Sequence, residues 1–172
     1  MFLLFLDRHT PIIVTNPHRT QSYQLGVAYH YAFLAHDAGP NHPDRRERIS
    51  SIMDEIKNAP WQNQVQILKP RQATVEEVAW IHSEEYIENM RRLCETGGEF
   101  LPLLAAAVGK ETYPAAMYAV GAGLSLADEI LKGSWKLGFA PVRPPGHHAI
   151  RGRPWGFCIF NNISILAAYL LN

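Results

Sequence analysis

The sequence predicts an α/β fold, a parallel sheet flanked by helices, and three observations carry that expectation. Short runs rich in β-branched and aromatic residues alternate along the chain with segments of helical periodicity, the pattern of strand–helix–strand units. The 172 residues are 47% hydrophobic and 19% charged, which suits one globular domain with a sizeable core rather than a disordered chain. The chain shows no internal repeat and no low-complexity segment.

Residues 1–23 read as an N-terminal extension, with a short β-branched run at Ile12–Val14 as its one candidate strand. Leu25–Tyr29 is expected as the first core strand, and His36–Pro43 as loop, with Gly39, Pro40 and Asn41 as turn residues. Pro43 suits a first helical turn, and Ile49, Ile52, Met53 and Ile56 then recur at helical spacing until Pro60. Val65 and Ile67 alternate with glutamines, the signature of a half-buried strand. Thr74 and Glu77 form a Thr-x-x-Glu capping box ahead of Val78 and Ile81. Ser83 caps the next helix, which carries Tyr86, Ile87, Met90 and Leu93 and stops at Gly97-Gly98. Pro114 opens a longer helix to about Leu131, closed by Gly133. Its Gly121-Ala122-Gly123 run follows no strand directly, so it reads as a close-packing face and not as a phosphate loop. Trp135–Val142 is a further strand, and Asn161 or Asn162 caps a last helix over 163–171.

Composition narrows the function classes. Lys plus Arg equals Asp plus Glu at 16 each, so no cationic excess marks a broad nucleic-acid face. Arg45, Arg46 and Arg48 cluster, and the first two read as a solvated helix face. The apolar start, Phe2 to Leu6, is too short for a secretory core, and no run reaches the roughly 20 residues of a bilayer span. No membrane partner is expected. Cys94 and Cys158 suggest neither a disulfide framework nor a metal knuckle, which fits a reducing, cytoplasmic or nuclear compartment.

The informative block is 143–162: Arg-Pro-Pro-Gly-His-His-Ala, then Gly156-Phe157-Cys158, then Phe160-Asn161-Asn162. On a regular strand His147 and His148 would face opposite sides, but Pro144, Pro145 and Gly146 break the regularity and let both rings converge on one pocket. Imidazole titrates near neutrality, so one ring can take a proton from water while the other holds charge. The bland alternative is a surface turn bearing two solvated histidines. No Gly-x-Ser-x-Gly elbow competes for the role of nucleophile.

This block resembles the catalytic loop of the zinc-dependent histone deacetylase superfamily, class II-like, which includes acetylpolyamine amidohydrolases and acetoin-utilisation proteins. His36-Asp37-Ala38-Gly39, Asn41-His42-Pro43-Asp44-Arg45 and Arg48-Ile49 resemble its first loop and helix, with Arg46 where the family usually has a second proline. Val78–Tyr86, including His82-Ser83, resembles the next block. The resemblance covers residues 24–172, the N-terminal part of such a catalytic domain, and implies an incomplete arginase/deacetylase-like three-layer sandwich. It implies hydrolysis of an N-acetyl amide, on acetylated lysine or an acetylated small amine. His148 would be the general base and acid, and His147 its electrostatic partner. Gly156 would lie by the substrate amide, Phe157 would wall the channel, and Arg48 would line an internal cavity behind the metal site or else be a surface helix arginine. Cys158 reads as packing and Glu84 as a solvated helix-start carboxylate.

The resemblance also implies zinc, held in the family by a later Asp-x-His segment and a still later Asp that do not occur before Asn172. No residue of this chain is assigned to metal. The alternative is a catalytically inactive remnant of the fold acting as an interaction module. On either reading the strand leading to Val142 is expected to present an unpaired edge, with Leu166, Tyr169 or Leu170 uncovered on the last helix. Self-association through the incomplete sheet follows as an expectation.

Overall fold

Three parallel strands share one direction, and that direction places the functional loops. In the computed structural model, which describes residues 2–5, 25–102 and 105–171, these are β2 (Leu25–Ala28), β3 (Val65–Leu68) and β6 (Leu137–Ala140). Gly26 stands beside Gln66 on one side and Gly138 on the other, both in parallel register. A further strand, β1 (Phe2–Phe5), pairs antiparallel with β6, Phe2 opposite Ala140 and Phe5 opposite Leu137. The sheet order is β1-β6-β2-β3.

Helices cover both faces. On one, α2 (Glu47–Asn58) lays Ile49, Met53 and Ile56 against Val27, Leu25, Val65 and Phe139. On the other, α5 (Thr112–Leu131) packs Ala119, Ala122, Leu126 and Ile130 against Ala28, Ala140 and Trp135. The opposite side of α5 is buried too, under α4 (Glu84–Glu95) and α6 (Asn162–Leu171), through Met90, Cys94, Val120, Leu124, Ile165 and Leu166. A helix buried nearly all round needs no single apolar stripe, which is why α5 is largely apolar up to Ala127, with Asp128 and Glu129 following in its last turn. The Gly121-Ala122-Gly123 run is a packing face, as expected. A Cβ on Gly121 would fall 2.0 Å from the Arg71 carbonyl oxygen, so the 71–73 strap lies directly on the helix backbone.

The local signals hold. Thr74 Oγ1 accepts from Glu77 N–H while the Glu77 carboxylate accepts from Thr74 N–H, the capping box that opens α3 (Val75–Ala79). Ser83 Oγ accepts from Tyr86 N–H at the start of α4. Asn161, not Asn162, caps α6, accepting from Ser164 N–H at 3.0 Å.

Several expectations are corrected. Helix α2 starts at Glu47, not at Pro43, because His42–Asp44 are committed to a hydrogen-bonded loop. A one-turn helix α1 (Ala32–Ala35) and a two-strand ribbon, β4 (Phe100–Leu101) with β5 (Ala106–Ala107), carry no clear sequence signal. Ile67 is exposed, since β3 lies at the edge of the sheet. The edge of β6 that was expected to be unpaired is taken by β1. Leu166 is buried against α5, and the large apolar side chains that α6 exposes are Ile163 and Leu171. The Ile12–Val14 run lies outside the described residues.

Candidate active site

Each parallel strand ends on the same side of the sheet, and the loops that leave there build the site. The loop after β2 runs from Tyr29 to Arg46, and the loop after β6 carries Arg143 to His148. Arg48, Val142, Pro145, His147, His148, Gly156 and Phe157 line one cavity of about 470 Å³. All five site residues named from the sequence are among them.

The His-His loop is tied down at several points. Gly146 C=O accepts from Ala149 N–H, and Pro145 C=O accepts from Ile159 N–H. Asn161 donates its side-chain amide to Ala149 C=O at 2.9 Å. His82, buried, accepts Asn161 N–H on Nε2 at 2.8 Å, and its Nδ1 pairs with Arg151 C=O. Tyr86 donates its hydroxyl to Ile159 C=O. The His82–Tyr86 block therefore holds the second half of the His-His loop in place. Cys158 is fully buried behind it and its thiol is pushed up by burial, as packing requires.

The rings of His147 and His148 are 4.1 Å apart between centroids and both remain solvent-accessible. Desolvation, and then the neighbouring His148, hold His147 below its ordinary pKa. Gly156 reaches His148 with its backbone at φ +51°, and Phe157 also takes a left-handed φ of 72°. The Phe157 ring stands edge-on to His42, 4.4 Å between centroids. His42 is itself fixed, accepting Asp44 N–H on Nδ1 and pairing Nε2 with Ala105 C=O.

Beneath the loop lies a buried charge pair that the sequence reading did not assign. Arg143, 1% exposed, donates Nε to Asp44 Oδ1, Nη1 to the carbonyls of Phe33 and His36, and Nη2 to Asp44 C=O. It staples the β6 loop to the β2 loop. His36 adjoins, its Nε2 3.6 Å from Asp44 Oδ2, and burial drives its pKa down to about 4 despite that carboxylate. Both Asp44 and Arg143 stood inside the motif blocks, but nothing local marks an arginine as buried. Asp44, Arg143 and His36 line a separate polar cavity of about 330 Å³. Arg45 and Arg46 are exposed, as expected, and so is Glu84.

Among the described residues no group of three or more His, Cys, Asp or Glu is placed to hold a metal. His30 and His36 are engaged in hydrogen bonds or stacking within the fold, as are His42 and His82.

A parallel sheet between helix layers with paired histidines at its carboxyl end defines a class. This chain belongs to the histone deacetylase domain family: the model of that domain matches residues 42–172. It is 32% identical over 150 residues to a probable deacetylase of Archaeoglobus fulgidus, covering 85% of this chain and 41% of that protein. It is 37% identical over 131 residues to the human polyamine deacetylase HDAC10, covering 73% of this chain and 20% of that one. The crystal structure of the HDA15 HD domain superposes with a TM-score of 0.76 at 27% identity, over 86% of this chain and 42% of that one. The chain thus spans less than half the length of each of these relatives.

Proposed function

We propose that the His147–His148 cavity is the acid–base part of a deacetylase that hydrolyses N-acetyl amides, on acetyl-lysine or an acetylated polyamine. The observation that carries this reading is the meeting of His147, His148, Gly156, Phe157 and Arg48 around one cavity. His147, with its depressed pKa, offers a neutral ring that orients a water. His148 takes the proton as the water oxygen bonds to the amide carbon, then returns it to the nitrogen as the C–N bond breaks, releasing acetate and a free amine. The aromatic face of Phe157 suits the methylene stem of the acylated side chain. The family implies zinc, but the described donors do not fit that ion, so no step here runs through it.

Acetate release is the test, measured on the longest natural polypeptide carrying this chain, with an acetyl-lysine peptide and an acetylpolyamine as substrates. His148→Ala should lower turnover by roughly 10²–10⁴-fold. Wild-type rates in that variant would remove His148 from the mechanism.

A further inference from the structure

Arg48 sits where a cation is disfavoured. It lies in the first turn of α2, whose N-terminal end carries the positive end of the helix dipole. Its side chain is half exposed and yet lines the histidine cavity. A long, exposed arginine gains little by staying in one rotamer unless something holds it. Among the described residues its one side-chain bond runs from Nη1 to Asp44 Oδ1 at 3.3 Å.

Asp44 is the opposite kind of group. Its side chain is 2% exposed, and a desolvated carboxylate needs nearby positive charge. Arg143 supplies one guanidinium and is immobilised by its own carbonyl bonds. His36 does not supply a second charge, because burial keeps it neutral well below pH 6.5. Asp44 Oδ2 has no hydrogen-bond partner among the described residues, so the carboxylate's bonds concentrate on Oδ1, where both arginines meet. One carboxylate between two guanidiniums leaves a net positive charge, and the exposed member of the pair carries it to the cavity.

We propose that Asp44 is a positioning residue for the His147–His148 cavity: its Oδ1, anchored by Arg143, holds the Arg48 guanidinium at the cavity wall. The positioning stands on the geometry alone, while its consequence for turnover rests on the deacetylase reading above.

Arginine side-chain NMR on the 15N-labelled chain tests the positioning. Exposed Arg45 is the reference for an averaged side chain. In the wild type the Nε–Hε groups of Arg48 and Arg143 should both be restrained relative to Arg45. In Asp44→Asn the Arg48 restraint should fall to the Arg45 level while Arg143 keeps its restraint through the carbonyls it bonds. An Arg48 averaged like Arg45 in the wild type, or still restrained in the variant, would overturn the proposal. Should Asp44→Asn not fold, the wild-type comparison decides alone.

Kinetics on the polypeptide used for acetate release form the second arm. Asp44→Asn and Arg48→Ala should each lower kcat by between about tenfold and a hundredfold, and the double variant should lose no more than Arg48→Ala. Additive losses would overturn the route through Arg48. If the wild-type polypeptide releases no acetate, the deacetylase reading fails and the spectra still judge the positioning.

Discussion

Gly156 leaves the His148 ring the space that a side chain would crowd: a Cβ on Gly156 would lie 3.1 Å from Cδ2 of that ring, on a backbone with φ +51°. Two separate physical demands therefore select glycine here. A left-handed backbone penalises any side chain, and the ring would have to shift by a few tenths of an ångström to admit one.

Gly156→Ala is expected to cost about 1–2 kcal/mol from the backbone alone. It should also displace the His148 ring, since the ring is accessible and can yield. Urea unfolding reads the first effect, and the His148 ring chemical shifts read the second. A ring signal identical to wild type would show that the contact does not orient His148.

Gly121→Ala tests packing against propensity. In a helix interior this change ordinarily stabilises by about 1 kcal/mol. Here the new methyl meets backbone, with the Arg71 oxygen at 2.0 Å and Ala73 N at 2.9 Å, and Ala73 N–H already donates to Met117 C=O. Overpacking typically costs about 1–3 kcal/mol, so net destabilisation is expected. A variant more stable than wild type in urea would mean that the 71–73 strap is free to lift.

Arg143→Leu should be severe. It strips the buried Asp44 of its anchoring cation and leaves the Phe33 and His36 carbonyls unpaired, for a loss of about 3–5 kcal/mol. Adding Asp44→Asn to that variant should recover part of the loss, because the stranded charge is gone. Equal melting temperatures for the single and double variants would place the cost in the carbonyls and not in the carboxylate.

The pH dependence has a definite sign. His36 titrates near 4 in the fold, against 6.5 as an ordinary histidine. Above 6.5 both folded and unfolded forms are neutral there. Below it the unfolded chain takes up the proton that the fold refuses, so stability falls as pH drops from about 6.5 toward 4. At 1.36 kcal/mol per unit the effect approaches about 3 kcal/mol. His30 and His82 are also held low, first by burial, and steepen the same window. Melts from pH 7 to 4 should fall less steeply in His36→Asn than in wild type. Parallel curves would mean that His36 is protonated within the fold.

Much of the fold was legible because its signals are local. The Thr74–Glu77 box, Ser83 and Asn161 act on backbone groups two or three residues away, so reading neighbours suffices. Val65–Ile67 was legible as strand, and Val65 is half-buried against α2 as expected, but Ile67 is exposed, because edge or centre depends on which strand arrives beside it. Pro43 suits a helix start, yet the His42 and Asp44 bonds to distant segments moved that start to Glu47.

The sequence by itself determined the alternation of strands and helices, the caps and the irregular loop that lets His147 and His148 converge. Only the tertiary structure decided that β1 closes the β6 edge, and that Asp44 and Arg143 pair beneath the loop. The physical reason is separation along the chain. Asp44 and Arg143 stand 99 residues apart, and what buries both is a sheet that sets the loops after β2 and β6 side by side.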